Sequence, residues 1–363
     1  MPTDVLHVIA RMNIGGTAHY VSQLVNEIPN SSLATGNVQG LEVEDSSVVE
    51  LRVFRLNHMG RKISVINDIR AWLELRQVIR NLQPQIVHTH TFKAGLIGRL
   101  VGGSHKRVHT FHGHLLNDES FSKLQKRLIN FVERLLARRT DLLITVGIKV
   151  GIELRAQKIG LDKTWISIPP GINALIHIDK EKARGVLGIH RNEVYVGWMA
   201  RMAEVKNPFM LLAIAKKMPH VNFVMAGGGE LLDAVKAAAP KNVLVIGWAD
   251  ASIFWSAVDF ALSTSDNEGM PIALIEAQLA RLPVVATDAG STGEVIENGV
   301  TGIIIEKNLE SAIQAIEVLL LNAPLRVSMG EKAHARSKKL FSIQNMVEVH
   351  MNNYLILMPN RSK

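Results

Sequence analysis

Ser-Asp-Asn-Glu-Gly-Met-Pro-Ile-Ala-Leu-Ile-Glu-Ala, residues 265–277, lies where an apolar run ends and a helical pattern begins. The apolar run, Phe260 to Leu262, predicts a buried strand, and Gly-Met-Pro predicts the turn that connects it to a helix. A helix that begins directly after a strand has unpaired N–H groups in its first turn, and these can receive an anion. Two carboxylates flank the turn, Glu268 in the loop and Glu276 inside the helix. The stretch therefore predicts an anion site beside two acids.

Length and composition indicate a globular protein with large buried cores. The chain has 363 residues, of which 47% are hydrophobic and 20% charged, and this length is sufficient for two domains. It contains no cysteine, which excludes disulfides, a thiolate nucleophile and cysteine-based zinc sites. Val5 to Ala10 predicts a first strand rather than a signal peptide, and no apolar run approaches the ~20 residues that span a bilayer. We therefore expect a soluble, cytoplasmic protein.

The positive charge is confined to the first half of the sequence. Residues 1–175 contain 22 lysines and arginines against 14 aspartates and glutamates, whereas the remainder contains 19 of each. The net charge of +8 therefore lies entirely in the first half. Such asymmetry is typical of a domain that faces an anionic surface, and equally of a solvated basic face.

Strand and helix patterns alternate along the chain and restart once. The alternation is interrupted by the proline-containing segment Ile166 to Ile172 and restarts with a strand at Val194. Restarted β-α alternation without a tandem repeat predicts an α/β protein of two doubly wound, Rossmann-like domains that face each other across a cleft. We assign residues 1–170 to the first domain and 171–342 to the second. We expect the last helix, within residues 343–363, to join the first domain.

Two motifs of the first half place polar groups at predicted strand ends. Gly15 and Gly16 follow the first strand and allow a backbone to approach a ligand closely, or they form a tight turn that needs glycine. His88 and His90 end a later strand, and His109 to His114 repeats the arrangement. A metal site is the less favoured interpretation of these pairs. One histidine that faces a ligand while its neighbour packs is favoured.

Ser122 to Arg139 is an amphipathic helical pattern. Its leucines and Phe131 recur at helical spacing, while lysines and arginines occupy most other positions. This composition is typical of a helix that lies in a membrane interface. It is also that of a helix that packs on the core and exposes a basic face, which is the favoured interpretation.

Polar residues follow each predicted strand of the second half, at the edge where ligands bind in parallel sheets. Two cations and a helix amino terminus can neutralise a pyrophosphate, a run of glycines admits a phosphate or a flat base, and a carboxylate can accept both hydroxyls of a ribose. The polar groups are, in strand order, Arg201 and Lys206, Gly227 to Glu230, Gly247 and Trp248, Glu268 to Glu276, and Gly290 to Glu294. This set meets the requirements of a bound nucleotide diphosphate.

In these motifs the chain resembles the family-4 (group 1) glycosyltransferases, retaining enzymes of the GT-B fold that use nucleotide-activated sugars. The resemblance runs essentially from end to end. It rests on the paired glycines near residue 15, Pro-x-Ile-Val-His-x-His at 84–90, Thr-Phe-His-Gly-His at 110–114, Arg201 with Lys-Asn-Pro at 206–208, Ala-Gly-Gly-Gly-Glu at 226–230 and Glu-Gly-Met-Pro-Ile-x-x-x-Glu-Ala at 268–277. The last motif, with its two glutamates at the family's spacing, is the most specific.

The resemblance implies separate roles for the charged residues of the second half. Glu276 would bind the ribose hydroxyls of the sugar donor, and Glu268 would contact the hydroxyls of its sugar ring. Arg201 and Lys206 would hold the diphosphate and stabilise its charge as it leaves.

The resemblance also implies roles for uncharged groups. The nucleotide-binding set would further include Gly228, Glu230 and, through backbone amides, Gly269, Met270, Pro271 and Ile272. In the first half, His112 matches a histidine that lies near the donor sugar in the family. Gly15 and Gly16 match the loop that closes over the phosphates.

The implied activity is the transfer of a hexose or N-acetylhexosamine from a nucleotide-diphosphate sugar, with a UDP-sugar favoured. The expected acceptor is a saccharide, a lipid-linked one being favoured, in the synthesis of capsule, O-antigen or exopolysaccharide. Such an acceptor would bring the enzyme into peripheral contact with an anionic membrane, at the inner face of the plasma membrane.

No cofactor and no metal ion are expected. Cleavage of a glycosyl–phosphate bond builds negative charge on the leaving group, and preorganised cations can stabilise it. The sequence has no convincing Asp-x-Asp motif for a divalent ion and no clear nucleophile. The resemblance implies a mechanism in which the leaving phosphate itself takes the acceptor's proton, on the same face of the sugar, and we adopt it as a hypothesis.

Two other functions would use part of this pattern. A sugar-nucleotide epimerase of the same fold would bind the same donor without an acceptor. A nucleic-acid-binding protein would explain the positive charge, but it leaves Glu268 and Glu276 unexplained and lacks interleaved aromatic and basic residues. Nucleic acid is therefore not an expected partner. Without the adjacent cations, the two glutamates would be a loop acid and an acid that favours the helix dipole.

Overall fold

Short runs of apolar and β-branched residues form the strands of two parallel sheets, one in each of two units of the chain. The computed structural model describes residues 4–40, 42–60, 63–113 and 122–358. Unit 1 comprises Met1–Gly171 and Ile343–Lys363, and unit 2 comprises Ile172–Ser342. The last helix therefore belongs to unit 1, although it follows the whole of unit 2 in the sequence.

The sheet of unit 1 has seven strands in the order β3-β2-β1-β4-β5-β6-β7, and its paired strands are parallel. Its central strands are buried along their whole length because helices cover both faces of the sheet. The strands are β1 Val5–Arg11, β2 Ser31–Gly36, β3 Val53–Arg55, β4 Ile86–His90, β5 Lys106–Phe111, β6 Leu142–Thr145 and β7 Thr164–Ser167.

The helices of unit 1 are α1 Gly16–Glu27, α2 Val65–Leu82, α3 Thr91–Leu100, α4 Lys123–Arg138, α5 Ile148–Ala156 and, at the end of the chain, α14 Ile343–Leu357. α3 lies on β1, β4 and β5 and contacts both α2 and α4, so these three helices form one layer. α14 packs beside α1. Short 3-10 helices lie at Ser46–Glu50 in unit 1 and at Glu204–Lys206 in unit 2.

The sheet of unit 2 has six strands in the order β10-β9-β8-β11-β12-β13. Its strands are β8 Tyr195–Met199, β9 Asn222–Ala226, β10 Val243–Gly247, β11 Phe260–Ser263, β12 Val284–Thr287 and β13 Gly302–Ile305. Its helices are α6 Lys180–Leu187, α7 Pro208–Lys217, α8 Leu232–Ala238, α9 Ala251–Ala257, α10 Ile272–Leu279, α11 Thr292–Val295, α12 Leu309–Leu321 and α13 Ala323–Leu340. Buried side chains form one core on each face, around Trp198 and Phe223 on one side and around Phe254 and Trp255 on the other.

The strand order creates one crevice at the carboxyl edge of unit 2. β8 lies between β9 and β11, so the chain leaves β8 in one direction and leaves β11 in the other. Loops that part in this way open a ligand site between them. Arg201 and Lys206 lie in the loop after β8, and Glu268 lies in the loop after β11. β1 has the equivalent central place in unit 1, between β2 and β4.

Three strands lie where the sequence pattern indicated none. Residues 31–50 show no clear period, yet β2 within them is buried at five of its six positions. Its small side chains fit a crowded site: a Cβ on Gly36 would lie 2.0 Å from the carbonyl oxygen of Met59. β3 is only three residues long, and β7 overlaps the proline-containing segment Ile166 to Ile172, which interrupts the predicted alternation.

Among the described residues, no single helix is long and apolar enough to cross a bilayer. One bent pair of helices, Leu309–Leu321 with Ala323–Leu357, is long and apolar enough by length and composition only.

Candidate active site

An ion pair between Lys206 and Glu268 lies at the crevice of unit 2. Lys206 Nζ donates to Glu268 Oε1 at 2.6 Å, and Ser265 Oγ donates to the same oxygen at 2.7 Å. The Glu268 side chain is only 9% exposed, so the ammonium group compensates a carboxylate that is largely removed from water. The pair joins the loops that follow β8 and β11.

Backbone and side-chain hydrogen bonds hold these two loops together. Asp266 N–H donates to the carbonyl oxygen of Val205 at 2.9 Å. Thr264 Oγ1 donates to the carbonyl oxygen of Asn207 at 2.9 Å and accepts from Trp198 Nε1 at 3.0 Å. Asn207 has a φ of +47° and caps α7 through its side chain. The position of Lys206 against Glu268 is therefore fixed by neighbours on both sides.

Gly290 is required where a third loop crosses behind Glu268. Its φ is +51°, and a Cβ on it would lie 1.7 Å from the carbonyl oxygen of Glu268. Ser291 N–H donates to the same carbonyl oxygen at 3.3 Å. The loop after β12 thus lies directly against the Glu268 backbone, because only glycine permits so close an approach.

Arg201 is the exposed cation of this edge. Among the described residues it has no ion-pair partner, in contrast to Lys206. It lies beside the glycine run that follows β9: its Cγ would be 3.0 Å from a Cβ placed on Gly229. Gly228 accepts a hydrogen bond from Met202 N–H at 2.8 Å, which ties the glycine run to the Arg201 loop. Glu230 is exposed at the end of that run.

Glu276 lies in α10 and is poorly compensated. Burial raises its pKa to about 7, and the nearby charge of Asp250 also raises it, whereas the hydrogen bond from Trp255 lowers it. That bond is long, with 3.5 Å between Trp255 Nε1 and Glu276 Oε2. A ligand that brought two hydroxyl donors would stabilise the ionised carboxylate.

The turn formed by Gly269, Met270 and Pro271 leads into α10, which begins at Ile272. No side chain caps the amino terminus of this helix, so its first backbone N–H groups remain available to an anion. One part of the sequence-based expectation is wrong here. Proline has no N–H, and Pro271 therefore cannot donate an amide hydrogen bond.

Two residues of this edge were not assigned to the site from the sequence: Ser265, which bonds Glu268, and Trp255, which bonds Glu276. Trp248, which the sequence placed at this edge, is 59% exposed beside the glycine run. A Cβ on Gly228 would lie 2.3 Å from Trp248 Nε1. The position of Trp248 directly after a strand was a usable signal, whereas Trp255 comes from a helix and gave none.

In unit 1, Gly15 and Gly16 mark the start of α1. Gly15 occupies the N-cap position with a φ of +153°, a conformation that favours glycine, and its carbonyl oxygen accepts from His19 N–H at 3.0 Å. His112 follows β5 and is half-buried. His114, the last residue of the predicted motif, lies outside the described residues.

His112 is the outer member of a buried histidine cluster. His7 Nδ1 lies 3.1 Å from His90 Nε2, and His90 Nδ1 lies 3.1 Å from His112 Nε2. His88 is bonded at both ring nitrogens, to Tyr354 Oη at 2.6 Å and to Thr110 Oγ1 at 2.7 Å. The sequence indicated the strand ends but not these pairings, which depend on three neighbouring strands and on α14.

Three of these histidines are close enough to hold a metal ion. Ring nitrogens of His7, His88 and His90 lie within 4.8 Å of one another. Five of their six nitrogens already have hydrogen-bond partners, and only His7 Nε2 has none among the described residues. A metal ion would have to displace those bonds, and the absence of a metal requirement stays a prediction.

Comparison with protein families accounts for most of the chain. Residues 15–164 match the model of a glycosyl transferase 4-like domain, and residues 179–336 match the model named glycosyl transferases group 1. The chain belongs to the group 1 glycosyl transferases. It is a glycosyltransferase enzyme, and the family does not favour the epimerase alternative.

Curated relatives of this glycosyltransferase are named as sugar-transferring enzymes of bacteria. The chain is 28% identical over 336 residues to the UDP-Gal:alpha-D-GlcNAc-diphosphoundecaprenol alpha-1,3-galactosyltransferase of Escherichia coli, which covers 86% of this chain and 85% of that one. It is 23% identical over 310 residues to the capsular polysaccharide biosynthesis glycosyltransferase CapM of Staphylococcus aureus, covering 79% and 80% of the two chains.

Solved structures share the fold of the glycosyltransferase. The structure of Anabaena HepE in complex with UDP and glucose matches it with a TM-score of 0.84 at 18% identity, over 98% of this chain and 100% of that one. This likeness establishes the GT-B fold of two doubly wound α/β domains.

Proposed function

We propose that this glycosyltransferase transfers a hexose or N-acetylhexosamine from a UDP-sugar to a lipid-linked saccharide, with retention of the anomeric configuration. The observation that carries the proposal is the grouping of Arg201, the Lys206–Glu268 pair and Glu276 around one crevice of unit 2. The names of the relatives support the UDP-sugar, the diphosphate-linked acceptor and the role in surface polysaccharide synthesis.

Each group of the crevice fits one part of the donor. Burial raises the pKa of Glu276, whose carboxylate accepts one long hydrogen bond from Trp255, and the two ribose hydroxyls would supply further donors. Arg201 is exposed beside the glycine run and can form paired hydrogen bonds to phosphate oxygens. The uncapped start of α10 offers further N–H donors to the same diphosphate. Unit 2 is therefore the proposed donor domain, and unit 1 the proposed acceptor domain.

Lys206 supplies the main catalytic effect in this proposal. As the bond between C1 of the sugar and the phosphate oxygen breaks, negative charge grows on the leaving UDP. The ammonium group then interacts with the phosphate as well as with Glu268, whose carboxylate contacts the sugar hydroxyls. The acceptor hydroxyl attacks C1 on the same face, and its proton goes to the departing phosphate oxygen. Because Arg201 and Lys206 provide the positive charge, the reaction requires no divalent metal ion.

A donor screen tests the proposed function. UDP-, GDP- and dTDP-sugars are compared for thermal stabilisation of the full chain, and the best ligand is then assayed for transfer to a diphosphate-linked saccharide lipid. We expect a UDP-sugar to raise the melting temperature of wild type and of the control Glu310→Gln. In Glu276→Gln most of this thermal stabilisation should be lost. Activity that persists in excess EDTA is also expected. A strict requirement for Mg²⁺, or transfer without loss in Glu276→Gln, would contradict the proposal.

Helix α4 supports contact with an anionic membrane, because its apolar stripe faces solvent. Leu124 is 76% and Phe131 59% exposed, and Leu128 and Leu135 are exposed at the same helical spacing. The favoured sequence interpretation, an apolar face packed on the core, does not hold for this stripe. The helix packs on the core through Ile129, Leu136 and Ala137. Glu133 lies on the same buried face and forms an ion pair with Arg99 of α3 at 2.7 Å.

The exposed stripe of α4 lies among cations, and α2 carries a second stripe. The exposed cations on or directly after α4 are Lys123, Arg127, Arg134, Arg138 and Arg139.

The first half of α2 exposes Val65, Ile66, Ile69 and Leu73. Both helices pack on α3 and begin at the carboxyl edge of the sheet. Apolar side chains within a basic surface complement anionic lipid, and each cation contributes about 1 kcal/mol near such a membrane.

Vesicle flotation tests the membrane contact with matched variants. Wild type should float with phosphatidylglycerol-containing vesicles and not with phosphatidylcholine alone. Leu128→Glu with Phe131→Glu should reduce binding at least ~100-fold, because two apolar anchors are lost. Val318→Glu with Leu321→Glu places the same change at the same spacing on an exposed face of α12 and should leave binding unchanged. Equal recovery of wild type with both vesicle types would contradict the membrane contact.

A further inference from the structure

Three histidines of unit 1 form a hydrogen-bonded line that ends at His112. His7 contributes Nδ1 to the first link, His90 contributes Nε2 to the first and Nδ1 to the second, and His112 contributes Nε2. Parallel pairing brings these residues close together: β1 pairs with β4, with His7 opposite His88 and so two residues from His90, and β4 pairs with β5, where Thr110 lies opposite His90 and two residues before His112. The line is therefore built into the centre of the sheet.

Each link of this line needs one hydrogen atom. Burial lowers the pKa of His7 and of His112 to about 3, and it lowers that of His90 well below 6.5. Near pH 7 all three rings are neutral, and each has a single N–H. Because His90 has one hydrogen and two partners, it donates to one neighbour and accepts from the other. The hydrogens thus all point toward His112 or all point toward His7.

The inner end of the line selects the direction. His7 Nε2 is buried and has no hydrogen-bond partner in the described part of the chain. Hydrogens directed toward His7 would place an N–H on this nitrogen with no acceptor, whereas the other direction leaves only an unpaired lone pair. A buried N–H without an acceptor is the rarer case in folded proteins. The favoured direction therefore has His7 Nδ1–H donating to His90, and His90 Nδ1–H donating to His112.

We propose that His7 and His90 are positioning residues that hold His112 in the tautomer with its hydrogen on Nδ1. Nε2 of His112 then accepts from His90, and a substrate meets an N–H donor at Nδ1 rather than a base. Resting on the proposed function, this makes His112 a hydrogen-bond donor to a hydroxyl oxygen of a bound sugar. It also leaves the acceptor's proton to the departing phosphate.

Nitrogen NMR reports the tautomer directly and does not depend on activity. Long-range ¹H–¹⁵N spectra of the full chain, labelled with ¹⁵N-histidine, distinguish protonated from unprotonated ring nitrogens. The His112 signals are those that vanish in His112→Gln. We expect a protonated Nδ1 and an unprotonated Nε2 at pH 7. A protonated Nε2, an average of the two tautomers, or a metal-shifted spectrum that EDTA reverses would overturn the proposal.

Two substitutions at His90 separate positioning from mere packing. Asparagine places its amide near the position of His90 Nδ1 and can still donate to His112, whereas glutamine extends toward the position of Nε2 and cannot. His90→Gln should lose the Nδ1–H spectrum of His112 and lower kcat about tenfold, with the donor KM within about threefold. His90→Asn should keep the Nδ1–H spectrum of His112 and the wild-type kcat. Melting temperatures are measured for each variant.

The outcomes distinguish this proposal from the function on which it rests. If His90→Gln and His90→Asn both keep the wild-type His112 spectrum, the positioning role is wrong. If His112→Gln retains full transfer activity, the role of His112 in binding a sugar hydroxyl is wrong, and the spectrum still decides which tautomer His90 imposes.

Discussion

The two units of the molecule organise their buried polar groups differently. Unit 2 pairs opposite charges, Lys206 with Glu268, and keeps Arg201 exposed. Unit 1 also buries an ion pair, Arg99 with Glu133, between α3 and α4, but the ends of its central strands contain neutral rings and hydroxyls in hydrogen-bonded lines, such as His7, His90 and His112. An anionic leaving group needs fixed cations, whereas a neutral sugar hydroxyl needs oriented donors and acceptors. The contrast indicates that charge stabilisation belongs to unit 2 and orientation to unit 1.

Acidification should produce the largest difference between the units. Burial lowers the folded-state pKa of His7 and His112 to about 3 and that of His350 to about 4. Since their unfolded pKa is 6.5, stability is fully present above that pH and is lost as the pH falls toward the folded values. Each histidine should cost about 2 kcal/mol between pH 7 and pH 5, or about 6 kcal/mol for the three. This is comparable with the whole stability of many domains.

Hydrogen exchange measured by mass spectrometry at both pH values checks this prediction unit by unit. Unit 2, whose residues are all described, has no buried histidine and serves as the internal control. We expect lower protection factors at pH 5 than at pH 7 across β1, β4 and β5. The protection factors of unit 2 should stay unchanged. Equal loss of protection in both units would show that the neutral histidine interior is not what distinguishes them.

Removal of the paired cation should have the next largest effect. Lys206→Ala takes away the ammonium group that stabilises the leaving diphosphate, so kcat should fall by about 10²–10³ while the donor KM changes little. Lys332→Ala, at an exposed position of α13, is the matched control and should have wild-type rates. Steady-state transfer assays with saturating acceptor measure this effect. A decrease in kcat of less than tenfold would contradict the proposed role of Lys206.

Donor affinity should depend on pH through Glu276. Its carboxylate has a pKa of about 7 in the free protein, and only the ionised form can accept from both ribose hydroxyls. The dissociation constant of a UDP-sugar should therefore be about tenfold higher at pH 6 than at pH 8. Calorimetric titration at several pH values measures this, and Glu276→Gln should bind weakly with no such dependence. An affinity that is flat in wild type would separate Glu276 from the ribose.

The smallest effect is expected at Ser265. Its hydroxyl donates to the same Glu268 oxygen as Lys206, so Ser265→Ala removes one of two donors and leaves the ion pair in place. The loss of a single hydrogen bond to a charged group should lower kcat/KM about tenfold. Ser328→Ala, at an exposed position of α13, provides the comparison and should stay near wild type. A loss in Ser265→Ala no larger than that in Ser328→Ala would contradict the role of the Ser265 hydroxyl.

The sequence was sufficient to predict that the polar groups of unit 2 share one edge of its sheet, because these groups follow strand ends. Parallel strands bring their carboxyl ends to one edge, so Arg201, Lys206 and Glu268 were predictable neighbours. That Lys206 and Glu268 pair with each other, and that Ser265 and Trp255 complete the carboxylate contacts, depends on side-chain geometry that spacing does not specify. β2 was missed because its small residues are buried by neighbours rather than by their own hydrophobicity.

Unit 1 was harder to predict because its important contacts are distant in sequence. The His7–His90–His112 line needs three strands in register, and the bonds of His88 to Tyr354 and of Tyr20 to His350 need the last helix. The orientation of α4 was predicted wrongly since Glu133 finds a buried partner in Arg99. A charged residue at the centre of a helix normally indicates its exposed face, and here it marks the buried one.

Protection by a nucleotide-sugar tests most directly that unit 2 holds the donor. Hydrogen exchange is measured on the full chain with and without a saturating UDP-sugar. The account predicts slower exchange in the loops at 200–207, 226–231 and 264–276, and the protection of the last segment should be lost in Glu276→Gln. Protection that is absent from these three loops, or that is confined to unit 1, would contradict it.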